Sequence, residues 1–217
     1  MARNRNKETQ DINGEKAVHM LLNEYFYPSV SNYIDCNDIE NQFHGIDTRF
    51  TFNGLDYLCD EKAALDYTNN QKGYPLTTFC LELSFLNRKN DEMEGWFTDS
   101  GKTNNAYLFV WIDKSEHNVI NSPEEIIDAE IMLVWKNDIY DYLRGLGWDV
   151  EKLRRKSFKI RNDDNEPLGD YVLNGCKFSY AKYLPEKPIN LLIKRKTYAS
   201  MPHTITYKYK KNSETTN

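Results

Sequence analysis

Apolar and polar residues follow different rhythms along different parts of this chain. Between residues 17 and 26 the apolar positions Ala17, Val18, Leu21, Leu22, Tyr25 and Phe26 recur at helical spacing, and Pro28 closes the pattern, which predicts a helix from Asp11. From Ile46 to Lys62 the period is two. It is two again from Thr78 to Phe85, where Phe79, Leu81, Leu83 and Phe85 alternate with Thr78, Cys80, Glu82 and Ser84. Ala106 to Ile112 (AYLFVWI) does not alternate and reads as a buried strand, and Glu130 to Trp135 reads as another. Ser122-Pro123-Glu124-Glu125 has the form of a capping box for a short helix. Asn137 is expected to cap a helix with Ile139, Tyr140, Leu143 and Leu146 on its apolar side, and Asp149 one that runs into EKLRRKSFKIR. Ser31 to Gln42 shows little periodicity and reads as a polar connection, Ala63 to Tyr74 is expected to wrap around the preceding strands, and Leu191 to Lys196, after Pro185 and Pro188, reads as an edge strand. The fold class predicted is α/β, with a mixed central sheet of about five strands flanked by helices on both faces and the 47–62 segment in its middle.

That segment is the most informative part of the chain. Asn53-Gly54 supplies the two positive-φ positions of a type I′ turn, so a hairpin is predicted with Phe52 facing Leu55, Thr51 Asp56, Phe50 Tyr57, Arg49 Leu58, Thr48 Cys59 and Asp47 Asp60. Ile46, Phe50, Phe52, Leu55, Tyr57 and Cys59 then share a core face, and Asp47, Arg49, Thr51, Asp56, Leu58, Asp60 and Lys62 share the other. Asp47 and Asp60 are opposed at a non-hydrogen-bonded position, where Cβ atoms lie roughly 4.5–5.5 Å apart. Opposed carboxylates repel, and a hard divalent cation with oxygen ligands would compensate.

An Asp, a hairpin turn and then Asp-x-Lys on the next strand resembles the PD-(D/E)XK (restriction endonuclease-like) nucleases, here at Gly45-Ile46-Asp47 and Asp60-Glu61-Lys62. The resemblance implies a restriction endonuclease-like fold and Mg²⁺- or Mn²⁺-dependent hydrolysis of phosphodiester bonds, most readily in DNA by an endonuclease. It assigns catalytic roles to Asp47, Asp60 and Lys62, with the metal held by Asp47, Asp60 and the backbone carbonyl of Glu61. Many members place a helical Glu near the metal, and Glu15 is the matching position. Glu82 would be a further ligand if its strand lay beside Asp60, and Lys102 a contact to the substrate backbone. Glu61 itself departs from the pattern, because a neutral or hydrophobic residue is common there; the register turns its side chain to the opposite face unless a bulge brings it to the metal in place of Asp60. The competing function class is a nucleic-acid-binding or protein-interaction module that keeps the fold without turnover.

Charge modifies this picture. The chain has 217 residues and a net charge of −5, but residues 1–151 carry 13 Lys/Arg against 27 Asp/Glu, while residues 152–217 carry 15 against 6. An acidic metal-binding part and a basic part that follows phosphates fit a nucleic-acid partner, with Lys152, Arg154, Arg155, Lys156 and Lys159 as the candidate contacts; a salt-bridge seam between the two parts is the alternative. The domains expected are a disordered start at 1–10, a nuclease core at 11–150, a basic extension packed on it at 151–211 and a disordered tail at 212–217. Cutting both strands of a duplex would call for a homodimer or for two successive events. No run approaches the roughly 18 apolar residues of a membrane span, so no membrane partner and a cytoplasmic location are expected. Cys36, Cys59, Cys80 and Cys176 form no C-x-x-C pair, and reduced thiols are expected. Gly95 to Gly101-Lys102-Thr103 is no P-loop, since five residues rather than four separate the glycines. His19, His44, His117 and His203 show no ligand spacing, and neither G-x-S-x-G nor H-E-x-x-H occurs.

Overall fold

The computed structural model describes residues 5–65, 76–117 and 119–211, residues 5–11 by backbone alone. It is a mixed α/β structure with two sheets. The larger contains six strands in the order β1 (Ser31–Asp35), β2 (Thr48–Phe52), β3 (Leu55–Ala64), β6 (Ala106–Ser115), β7 (Ile126–Trp135) and β10 (Ile205–Lys210). All its neighbours are antiparallel except β3 and β6, which run parallel with Asp60 beside Tyr107 and Lys62 beside Phe109. The smaller sheet is antiparallel, in the order β5 (Glu92–Glu94), β4 (Thr78–Leu86), β9 (Ile189–Lys194) and β8 (Cys176–Tyr180).

The unalternating apolar run in β6 is explained by its position, since both of its faces are covered. Ala106, Leu108, Val110 and Ile112 join Ala17, Val18, Leu21, Leu22 and Phe26 of helix α1 (Arg5–Tyr25) and the turn after it in one core. Tyr107, Phe109 and Trp111 face the other way. They pack with Phe79, Leu81 and Leu83 of β4, Leu191 and Ile193 of β9, and residues of α3 (Lys136–Gly145) and α4 (Val150–Asn162) in a second core. The rings of Phe79 and Phe109 are 4.5 Å apart.

The hairpin has the predicted register from Phe52 opposite Leu55 to Thr48 opposite Cys59, with positive φ at Asn53 and Gly54. Asp149 caps α4 by accepting from the Lys152 amide at 2.7 Å. Other expectations need correction. The sheet has six strands rather than five, and one of its faces is covered by a second sheet as well as by helices. β4 does not lie beside Asp60. With one apolar face it fits a sheet that packs on the core from one side, whereas the slot next to β3 is covered on both sides and takes β6. β9 is an inner strand of its sheet, and Ile189, Leu191 and Ile193 are fully buried. The polar 31–42 stretch forms β1 and a short helix α2 (Ile39–Phe43), capped by Asp38. The first helix begins at Arg5, six residues before Asp11. Trp135 rather than Asn137 precedes α3, and Pro123–Glu125 makes a single 3-10 turn. Residues 151–211 are built into both sheets through β8, β9 and β10. Most of the 63–74 connection and the 212–217 tail lie outside the described residues. Among the described residues no helix is long and apolar enough to cross a membrane.

Close approach fixes one glycine. A Cβ on Gly95 would lie 2.4 Å from the Glu82 carbonyl oxygen, so β4 crosses this turn where only glycine fits. Gly95→Ala is therefore expected to destabilise the protein by about 1–3 kcal/mol in urea unfolding. Gly145→Ala, where a Cβ would meet nothing within 4 Å, should not. Equal unfolding midpoints for the two variants would contradict this packing.

Candidate active site

A cleft of about 550 Å³ opens between α1 and the half-buried C-terminal end of β3. Glu15, Lys16 and His19 line it from α1, Asp35, Asn37 and Gln42 from β1, α2 and the turn between them, and Asp47, Glu61 and Lys62 from the hairpin. The helix period puts Glu15 and His19 on one side, one turn apart.

Asp47 enters the site through a break in the hairpin ladder. Its amide donates at 2.9 Å to the Cys59 carbonyl, one residue out of step, so the regular pairing ends at Thr48 and Cys59. The Asp47 carboxylate then turns onto β3, where Oδ2 accepts from the Glu61 amide at 2.7 Å. Asp60 is 3% exposed. Lys62 Nζ donates to Asp60 Oδ1, as period-two spacing allows, and sits 5.5 Å from the centre of the Trp96 ring.

Burial raises the Asp60 carboxyl to about 7; Lys62 opposes the shift, and Asp47 adds to it by charge and by a shared hydrogen bond. The second carboxylate thus works with burial to keep the Asp60 proton further up the pH scale than an ordinary Asp keeps it. Burial pulls Lys62 down, but the charges of Asp60, Asp47 and Glu15 outweigh it and keep the ammonium protonated. The structure thus brings Asp47, Asp60, Lys62 and Glu15 into electrostatic contact. These oxygens suit a hard cation. Asp47 Oδ2 accepts from the Glu61 amide and Asp60 Oδ1 from Lys62, the two carboxylates share a further hydrogen bond that a cation would have to replace, and no cluster of three His, Cys, Asp or Glu side chains arranged for a metal occurs among the described residues. Backbone oxygen and water would have to complete the shell, as is usual for Mg²⁺.

The Glu61 side chain points to the α1 face. It receives hydrogen bonds from His19 Nδ1 at 3.0 Å and from the Tyr27 hydroxyl, which lies 3.0 Å from Thr48 Oγ1. His19 Nε2 faces Asp35 at 3.4 Å. The Glu61 hydrogen bond raises the His19 pKa, burial opposes it, and the charges of Glu61 and Asp35 add to the rise. Sequence reasoning missed His19, Tyr27 and Asp35. The spacing of His19 four residues after Glu15 was the available signal; Asp35 gave none.

Glu82 lies in the smaller sheet opposite Asn190, not beside Asp60. Burial raises its pKa, and the Trp96 backbone amide and the charge of Lys62 partly offset the rise. Lys102 donates to the carbonyls of Phe43 at 2.7 Å and Gln42 at 3.3 Å. The candidate phosphate contacts are largely engaged within the fold. Arg154 pairs with Glu94 at 2.9 Å and donates to the Thr98 carbonyl, Lys156 pairs with Glu166 at 2.6 Å, Arg155 lies 3.6 Å from Glu151, and Lys152 donates to the Gly147 carbonyl. Lys159 is exposed. No protein-family model matches the chain, and no curated protein or solved structure matches it either.

The raised Asp60 carboxyl has a thermodynamic consequence. The folded state keeps the Asp60 proton up to about pH 7, whereas an unfolded Asp releases it near 4, so this group's contribution to stability falls as pH rises through that window. With a chelator present, the parent should lose stability relative to Asp60→Asn across pH 4–7, on the order of 1 kcal/mol per pH unit. Parallel pH profiles of the two melting temperatures would show that Asp60 does not hold this proton.

Proposed function

We propose that this chain is a metal-dependent nuclease that hydrolyses phosphodiester bonds, acting on DNA as an endonuclease. The observation that carries this reading is the convergence of Asp47, Asp60 and Lys62, with Glu15 in electrostatic reach, beside one cleft. Asp47 and Asp60 would hold Mg²⁺ or Mn²⁺ through their remaining oxygens, with the Glu61 carbonyl. The bound cation would polarise the scissile phosphate and lower the pKa of a bound water. Lys62 contributes a compact positive charge, fixed by Asp60 and the Trp96 ring, where negative charge grows on the attacked phosphate. Glu15 offers a carboxylate on the facing wall that can accept a hydrogen bond from the attacking water. His19 and Tyr27 hold the Glu61 side chain away from the carboxylate pair, so the backbone at Glu61 is free of competition from its own side chain.

A second reading, a nucleic-acid-binding or protein-interaction module without turnover, is favoured by the 3% exposure of Asp60, and the internal pairing of most α4 cations favours its protein-interaction form. Calorimetric titration with Mn²⁺ separates the two. Binding that is lost in both Asp47→Asn and Asp60→Asn supports the nuclease, and its absence in the parent protein supports the module.

Lys62 discriminates between catalysis and cation storage. An ammonium beside a stored cation only repels it, whereas it favours the transition state of hydrolysis. Lys62→Ala is expected to bind Mn²⁺ as well as the parent or better while its cleavage rate falls about 10²–10³-fold. Lys62→Arg should rescue only in part, because a planar fork does not replace a compact ammonium. Cleavage by Lys62→Ala at the parental rate under saturating Mg²⁺ would remove this residue from the chemistry.

A further inference from the structure

Lys136 and Lys102 form a connected pair of contacts behind Asp47 that the proposed chemistry does not use. Lys136 is the first residue of α3 and only 7% exposed, and its ammonium donates to two neutral oxygens, the Lys102 carbonyl and Asn104 Oδ1, each at 3.0 Å. A cation at a helix N-terminus is opposed by the helix dipole, and a buried one is disfavoured again. Its backbone adds a third tie, since the Lys136 amide donates to the Asn105 carbonyl at 2.9 Å. The 102–105 segment is therefore anchored from below.

The same segment grips the turn ahead of Asp47. Lys102 Nζ binds the Gln42 and Phe43 carbonyls at the end of α2, where a cation is favoured by the dipole. The Thr103 amide donates to the His44 carbonyl at 2.9 Å, and His44 Nδ1 lies 3.0 Å from the Gly101 carbonyl. Gly45, at φ +67°, accepts the Lys102 stem at a distance where an added Cβ would stand 2.9 Å from Lys102 Cδ. Asp47 follows two residues later, held by its amide at Cys59 and by its carbonyl, which accepts from the Cys36 amide at 2.8 Å. Residues 101–103 thus clasp each of the four residues from Gln42 to Gly45, across nearly sixty positions of sequence.

We infer that Lys136 and Lys102 act in series as positioning residues: Lys136 fixes the 102–104 segment, and Lys102 fixes the turn that delivers the Asp47 carboxylate to Asp60. This deepens the nuclease reading and rests on it, and it replaces the role of Lys102 as a contact to the substrate backbone. The sign of one measurement decides the matter. Removing a positive charge near a cation site tightens cation binding by charge alone, whereas misplacing a ligand loosens it.

The test uses the full chain and its Lys102→Met, Lys136→Met and Lys102→Arg variants, with Mn²⁺ as the probe. The two Met variants should bind Mn²⁺ about 10–100-fold more weakly, the range for lost outer partners of a metal ligand, and Lys102→Arg should recover part of the loss. In the metal-free proteins, hydrogen exchange of the Ile46 and Asp47 amides should speed up in both Met variants while exchange at Leu81 and Leu191 stays parental. Tighter or unchanged Mn²⁺ binding would overturn the inference. So would a weakened DNA KM with parental Mn²⁺ affinity, which would return Lys102 to the substrate, or faster exchange at Leu81 and Leu191 as well, which would mark a general loss of stability. A parent protein that binds no Mn²⁺ would sink the nuclease reading, and the exchange data would still decide whether the two lysines hold the Asp47 turn.

Discussion

A carboxyl group that is 3% exposed cannot keep its charge without compensation, because moving one ion out of water into an apolar interior costs on the order of several kcal/mol. The surroundings of Asp60 supply that compensation from several elements at once. Lys62 comes from the same strand, the Trp96 ring from the 95–105 loop lies against Lys62, and the charges of Asp60 and Lys136 act on each other across the sheet. Where no charge compensates, the group takes up a proton instead. One corner of the core between the two sheets is polar for this reason, and the parallel pairing of β3 with β6 sets Tyr107 directly beside Asp60 there. On the opposite side of β3, Glu61 is held by His19 and Tyr27, with Asp35 on the far side of the His19 ring.

Short-range geometry was legible in the sequence wherever one residue type enforces a local conformation. Asn53-Gly54 set five cross-strand pairs correctly, and Asp149 and the apolar stripe of α1 set the helices they belong to. Partners across long stretches of chain were not. Alternation in β4 says that one face is buried and is silent on what covers it, so neither the sheet that holds this strand nor the neighbours of Glu82 could be read from it. β1 escaped notice because an edge strand with positive φ at Asn32 and little burial carries no apolar signature. At the candidate site, the carboxylates and Lys62 were visible through spacing alone, whereas the Glu61 network depends on α1 and β1 meeting above the hairpin.

The uneven distribution of charge along the chain was also visible, but its use within the fold was not. Arg195 bridges Asp113 and Glu130, Arg161 pairs with Glu92, Arg154 with Glu94 and Lys211 with Glu116. Each of these joins the basic last part of the chain to the acidic first part. The segregation therefore serves as a set of matched seams that tells the late strands and helices where to dock. Within α4, Arg154, Lys156 and Arg161 are tied to carboxylates outside the helix, whereas Arg155 lies by Glu151 of the same helix and Lys159 is exposed.

The order in which the strands are made has its own consequence for a ribosome-bound chain. β9 closes the inner edge of β4, and β10 closes the far edge of β7, yet both are encoded after residue 188. Until they emerge, the faces of β4 and β6 that later meet have no finished partner sheet, and β7 presents an open edge of unpaired amides. Long-range pairings of this kind form late, and exposed edges of this kind invite association with other chains. A nascent chain that ends before β9 thus carries two unpaired strand edges, one on β4 and one on β7, and neither sheet is complete until synthesis has reached the final strands.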